Sequence, residues 1–161
     1  MSVTQELFRQ AWGKFATGVS IVTTIQEDGR VHQMTANALC SVSLDPPLLL
    51  LCVGHQRSTY HNLKLSSRFG VNILARGQDE VASRHSLSNP EHGEPGSTPL
   101  RFTPSGAAAL PGSLAFLDCR VVAEHLAGDH SIFVAEVEHV EVEPGAPLLF
   151  YEGRYASLDE G

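Results

Sequence analysis

At Asp45-Pro46-Pro47 the chain must turn a rigid corner, and the segments on its two sides differ sharply. Proline fixes φ and brings no N–H to a sheet ladder, so paired prolines end one strand and restrict the start of the next. Before the corner, the small residues Thr35-Ala36-Asn37-Ala38 lead into Leu39-Cys40-Ser41-Val42-Ser43-Leu44. There Val42 and Leu44 alternate with Ser41 and Ser43, and this period of two predicts a half-buried strand. After the corner, residues 48–53 are an unbroken apolar run of strand length, which predicts a strand buried on both faces. Two such strands, one carrying a small polar ledge, make a wall for a flat, hydrogen-bonding ligand.

The remaining pattern is β-rich. Ser2 and Gln5 have the spacing of a capping box, and Leu7, Phe8, Ala11, Trp12 and Phe15 recur at helical intervals, predicting an N-terminal helix that ends near Gly18. Residues 19–25 read as a strand, Glu27-Asp28-Gly29-Arg30 as a turn, and residues 31–38 as the returning strand. Ser58 or Thr59 is suited to cap a short helix over residues 58–65. A strand over 69–74 and a helix over 78–87 follow, then a loop at 88–99 rich in Gly, Pro, Ser and Glu. Two long strands, 115–125 and 131–143, flank a turn at Leu126-Ala127-Gly128-Asp129. Residues 147–158 form a last strand in which Gly153 marks a bulge or a close backbone approach. No repeat or linker divides the 161 residues, so one mainly β domain with a few short helices is expected.

A formal charge of −7 argues against a nucleic-acid partner, which would need a basic surface. No apolar run reaches the roughly 20 residues of a membrane span, and no basic-then-apolar leader is visible, so the cytoplasm is expected. The three cysteines, Cys40, Cys52 and Cys119, are odd in number and widely spaced, which suits a reducing compartment rather than a disulfide framework. No G-x-G-x-x-G follows a strand, and there is neither a P-loop nor a G-x-S-x-G elbow, so Rossmann and serine-hydrolase chemistry are excluded. Cys52 with His55 and His61, or His85 with His92, lacks the paired ligands of structural zinc, and no metal is expected.

Three stretches together carry a resemblance. Residues 34–53, with Phe15-Ala16-Thr17-Gly18-Val19-Ser20-Ile21-Val22-Thr23-Thr24 before them and Gly128-Asp129-His130 after, resemble the flavin reductase-like family, from about Leu7 to Leu158. The resemblance implies a split β-barrel homodimer of the FMN-binding type. It implies non-covalent FMN or FAD, NADH or NADPH as reductant, and delivery of reduced flavin to a partner monooxygenase. Two rivals keep the same barrel: a flavin carrier without turnover, and a pyridoxamine-phosphate-oxidase-like FMN enzyme. The Gly128-Asp129-His130 signature favours the reductase.

Residue by residue, the resemblance sets Thr35, Ala36, Asn37 and Ala38 at the polar edge of the isoalloxazine, where small side chains let the main chain approach, with Leu39, Ser41 and Val42 continuing the wall. By the residues alone, these are equally a polar strand end. Cys52 falls where the family approaches the flavin, and is otherwise a small core hydrophobe. Arg57, Ser58 and Thr59 offer a guanidinium, hydroxyls and a helix N-terminus to a phosphate, with Asn62 one turn on. An acidic protein binding anions must place cations locally, and Arg57, Lys64 and Arg84 are the candidates. Arg84-His85-Ser86 stands where the family often has Arg-Phe-Ala, so an imidazole replaces an aromatic ring. His130, assigned by the resemblance to the nicotinamide side, is expected as a positioning donor, because hydride transfer to flavin needs no general base at the reacting carbon. By spacing alone it is a surface histidine after a turn. Gly153-Arg154-Tyr155 is suited to hold the dinucleotide, or is simply a strand end.

Overall fold

The computed structural model describes residues 2–86 and 99–158. Seven strands form one antiparallel ladder: β2 (Ser20–Ile25), β3 (Val31–Ala36), β4 (Leu39–Leu44), β5 (Pro47–Gly54), β6 (Arg68–Ile73), β9 (Ala115–Ala127) and β10 (His130–Val142). Their spatial order is β3-β2-β6-β9-β10-β5-β4. Short strands β1 (Thr17–Gly18), β11 (Leu149–Tyr151) and β12 (Arg154–Ala156) make a second sheet, and β7 (Arg101–Phe102) pairs β8 (Ala108–Ala109). Helices α1 (Gln5–Gly13), α2 (Ser58–Ser66) and α3 (Asp79–Ser86) complete the described chain. The mainly β expectation holds, and among the described residues no helix is long and apolar enough to cross a membrane.

Strand order forces curvature. β3 and β4 are the two edges of the ladder, yet only Asn37 and Ala38 separate them in sequence. Six inter-strand spacings would set the edges of a flat sheet about 29 Å apart. The three Cα–Cα steps from Ala36 to Leu39 reach at most about 11 Å. The sheet is therefore strongly curled, its edges approach one another at the Asn37–Ala38 link, and its concave side encloses a core of Val22, Met34, Leu51, Val53, Phe69 and Phe133. A second cluster, Val19, Ile21, Leu74, Ala82, Leu110 and Leu148, lies on the other side of β2.

Several local expectations change. The strand buried on both faces is β2, not residues 48–53: along β5, Leu49, Leu51 and Val53 are buried while Leu48, Leu50 and Cys52 are half-buried. β5 is one strand from the edge, and nothing in the single chain fully covers its outer face. On β4 the inferred inward face is turned out, with Val42 50 % and Leu44 94 % exposed. A register shift between Ser41 and Ser43 places an extra residue at Val42, and a bulge redirects the side chains beyond it. Helix α1 is capped by Thr4, whose hydroxyl accepts from Leu7 N at 3.1 Å, rather than by Ser2. It stops at Gly13 rather than near Gly18, and none of its residues is buried. Residues 147–158 are not one strand: Glu152 and Gly153 both have positive φ and form the two-residue turn of the β11–β12 hairpin. Of the expected helix over 78–87 and the loop over 88–99, residues 87–98 lie outside the described chain.

Candidate functional site

The site is built around the end of β5. β10 pairs with β5 in a register that sets His130 opposite Gly54, and Cys52 N donates to Ala38 O at 3.0 Å. β4 runs alongside, with Leu39 opposite Leu51 and Ser41 opposite Leu49. Ala38, Leu39, Cys52, Gly54 and His130 therefore share one end of the curled sheet. A Cβ on Gly54 would stand 3.5 Å from His130 Nε2 and 3.8 Å from Arg57 Cγ, so the imidazole and the arginine stem flank the same small residue.

His130 is held by its neighbour. Its Nδ1 lies 2.7 Å from Asp129 Oδ1, and this bond keeps the Asp129 carboxyl below the usual carboxylate range. The turn before it has only Gly128 and Asp129 between paired Ala127 and His130, with Gly128 at φ 65°, a conformation glycine adopts without a Cβ penalty.

Arg57, not Ser58 or Thr59, is the N-cap of α2, and no side chain caps the helix. An uncapped N-terminus offers backbone N–H groups to an anion, and the Arg57 guanidinium adds charge beside it. The two hydroxyls diverge: Ser58 is exposed, whereas Thr59 is fully buried and its Oγ1 has no hydrogen-bond partner among the described residues. Asn62 is also turned inward, donating to Thr24 Oγ1 at 2.9 Å. This geometry leaves the N–H groups of the first turn, more than the Thr59 and Asn62 side chains, to meet a ligand. Lys64 pairs with Glu124 and is committed there rather than to an anion site.

The other candidates form a second wing. Thr35 Oγ1 donates to Ala82 O at 2.6 Å, fastening α3 to β3, and α3 carries exposed Arg84 and half-buried His85 in its last turn. Burial, then the nearby Arg84 charge, then His32 hold the His85 imidazole below its ordinary pKa. Asn37 Nδ2 donates to Thr17 Oγ1 at 3.2 Å, which brings in β1, then β11 and β12 with Tyr155. Tyr155 packs on Phe150 with ring centroids 5.6 Å apart. The hairpin tip at Gly153 leans on α1, where Glu152 N donates to Gly13 O at 3.0 Å and Lys14 pairs with Glu152. Gly153 and Arg154 thus belong to the hairpin that rests on the end of α1. Thr17, Gly54, His55 and Ser131 lie in or behind the site without having been singled out as ligands; the strict β5–β10 alternation around His130 was the available signal. No three His, Cys, Asp or Glu side chains gather as metal ligands among the described residues.

Known proteins share this sequence pattern and fold. The flavin reductase like domain matches residues 12–159. The chain belongs to the flavin reductase-like family. An NADH-dependent flavin reductase from Rhodococcus sp. is 42 % identical over 160 residues, covering 98 % of this chain and 88 % of that protein. The reductase subunit HsaB of a flavin-dependent monooxygenase from Mycobacterium tuberculosis is 32 % identical over 157 residues, covering 94 % and 81 %. The solved structure of the Streptomyces globisporus NADH:FAD oxidoreductase SgcE6, in complex with NAD and FAD fragments, superposes with a TM-score of 0.89 at 30 % identity, covering 99 % of this chain and 98 % of that one.

The residues present fit a phosphate-bearing flavin. The uncapped α2 N-terminus, with the Arg57 charge beside it and a buried Thr59 hydroxyl that has no partner among the described residues, suits an anion, and the bare Gly54 leaves the space above it to His130.

Proposed function

We propose that this chain is an NADH-dependent flavin reductase that reduces FMN or FAD and passes the product to a separate flavin-dependent monooxygenase. The observation that carries the reading is the meeting of His130 and Arg57 across Gly54, which sets a nicotinamide-side residue beside an anion-binding helix start. The flavin, when bound, supplies the hydride acceptor. Arg57 and the first-turn N–H groups of α2 hold its phosphate. The main chain at Thr35, Ala36, Asn37 and Ala38 meets its polar edge, with Leu39, Ser41, Val42 and Cys52 along it, and Arg84 and His85 close the α3 side. Arg154 and Tyr155 on the β12 wing steady the dinucleotide.

His130 can act in the opposite sense to the donor expected of it. A carboxylate only accepts, so Nδ1–H goes to Asp129, and in the uncharged tautomer this leaves Nε2 as an acceptor for an amide N–H such as that of a nicotinamide carboxamide. No proton enters or leaves the reaction through it. It orients.

The same reading includes a split β-barrel homodimer. The curl imposed by the Asn37–Ala38 link supports the barrel. The second copy is supported by an aromatic stripe that runs from α1 past its end, where Phe8 stacks on Trp12 and Phe15, beyond the helix, packs tilted against Trp12 while all three are at least 60 % exposed, together with outward Val42 and Leu44. Apolar patches of this kind on a small protein are covered by a partner. Sedimentation showing an active monomer at micromolar concentration would remove the dimer. Anaerobic stopped-flow mixing of flavin-loaded protein with NADH tests the activity: bleaching of the flavin within a single turnover is expected, and bound flavin that stays oxidised would leave a passive carrier.

A further inference from the structure

Behind His130, four elements converge on one hydroxyl. Ser131, fully buried on β10, donates through Oγ to Glu124 Oε1 on β9 at 2.9 Å. A carboxylate only accepts, so the single hydroxyl proton is spent there, and Ser131 Oγ accepts from His55 Nε2 at 3.1 Å. This fixes the His55 tautomer with its proton on Nε2. The other Glu124 oxygen takes Lys64 of α2. The His55 ring also packs at a tilt on Tyr60 of α2, centroids 4.9 Å apart, Tyr60 packs on Phe133 at 6.0 Å, and His55 N donates to Asp129 O at 3.0 Å. The network thus joins the strand that begins with His130, the link that carries Arg57, and the helix whose start faces the anion site.

We propose that Ser131, through its paired bonds to His55 and Glu124, is a positioning residue that holds His130 in register with the flavin-phosphate end of the site. This rests on the role given to His130 above. A buried hydroxyl whose donor and acceptor roles are both filled is held in one orientation, and ring-to-ring transfer is steeply sensitive to alignment. Ser131 touches neither ring; it sets the distance between the residues that do.

The test is a double-mutant cycle on the rate of flavin reduction by NADH, read by stopped flow on flavin-loaded protein. Ser131→Ala is expected to slow reduction roughly 10- to 100-fold with little change in the NADH concentration at half-saturation. Combined with His130→Ala, its effect should largely vanish, the double variant falling within about threefold of His130→Ala alone. Glu124→Gln, which keeps an oxygen to accept from Ser131, should retain most of the rate, whereas Glu124→Ala should behave like Ser131→Ala. The Glu124 pair gives the answer if Ser131→Ala does not fold. A merely structural role would lower the melting temperature and leave the Glu124→Gln and Glu124→Ala rates alike. Multiplicative losses in the cycle, or a wild-type rate in Glu124→Ala, overturn the proposal while the role of His130 stands. An unchanged rate in His130→Ala itself overturns both.

Discussion

Replacing Arg57 by alanine should separate phosphate binding from ring binding. Arg57 is half-buried at the mouth of α2, its stem against Gly54 and no side chain competing for the helix start. A charge-assisted hydrogen bond contributes about 1.5–3 kcal/mol net. Partial exposure screens this one, so the lower part of that range applies, about 1.5–2 kcal/mol, which corresponds to roughly a 10- to 30-fold loss of FMN affinity. The helix N-terminus survives the substitution and should keep the variant well above complete loss. Riboflavin has the same ring and no phosphate, so its affinity should hardly move. Raising salt from about 0.05 to 0.5 M should weaken FMN binding more in the wild type than in Arg57→Ala, because the screened charge is already gone in the variant. Titration calorimetry with FMN and riboflavin at both salt concentrations measures all of this. Equal losses for the two flavins would show that Arg57 supports the ring or the fold and would refute the phosphate assignment.

Three other outcomes follow from the geometry. Thr59→Val removes an orphaned buried hydroxyl at nearly constant shape and should raise stability by about 1 kcal/mol in denaturant titration; a simultaneous fall in FMN affinity would assign the hydroxyl itself to the phosphate, and an unchanged affinity would leave only the backbone N–H. His32 and His85 are both held below their ordinary pKa, chiefly by burial, so below about pH 6.5 the unfolded chain takes up protons that the folded rings resist. Stability should therefore fall as pH drops from 6.5 toward 5, and His85→Phe should flatten part of that slope in urea melts across the same range. Gly70→Ala would bring a Cβ within 2.5 Å of Thr23 Oγ1 and 2.9 Å of Ala108 O, breaking into the 2.6 Å bond between them, and should cost about 1–3 kcal/mol with a visibly lower thermal midpoint.

Much of the fold was legible in the pattern of side chains. The strands expected between Val31 and Val53 and the long pair around Gly128-Asp129 formed close to the expected bounds, because apolar patterning and turn chemistry are local. Which face of a strand turns inward was less legible. Val42 and Leu44 carry the inward signal and point outward, and α1 shows its whole aromatic stripe to solvent, because a sequence does not distinguish surface buried by its own chain from surface suited to another. The candidate site was legible at Arg57 as a cation beside a helix start, where the structure sets it. It was hidden where a side chain serves another side chain. Ser131 looks like any small residue in a strand, and only the β9–β10–β5 register brings Glu124 and His55 to its hydroxyl. The inward turn of Thr59 and Asn62 depended on the true cap position, one residue earlier than hydroxyl preference suggested.

The Asn37–Ala38 link does two jobs in series. It is a two-residue strap between the edges of the curled sheet, and it is also the stretch proposed above to meet the polar edge of the flavin. A two-residue strap leaves little slack, so a residue added there would let the two edges drift apart even though it lies on the surface. Whatever grips Asn37 and Ala38 from outside therefore also cinches the sheet, and a ligand held there works as a buckle for the whole curl.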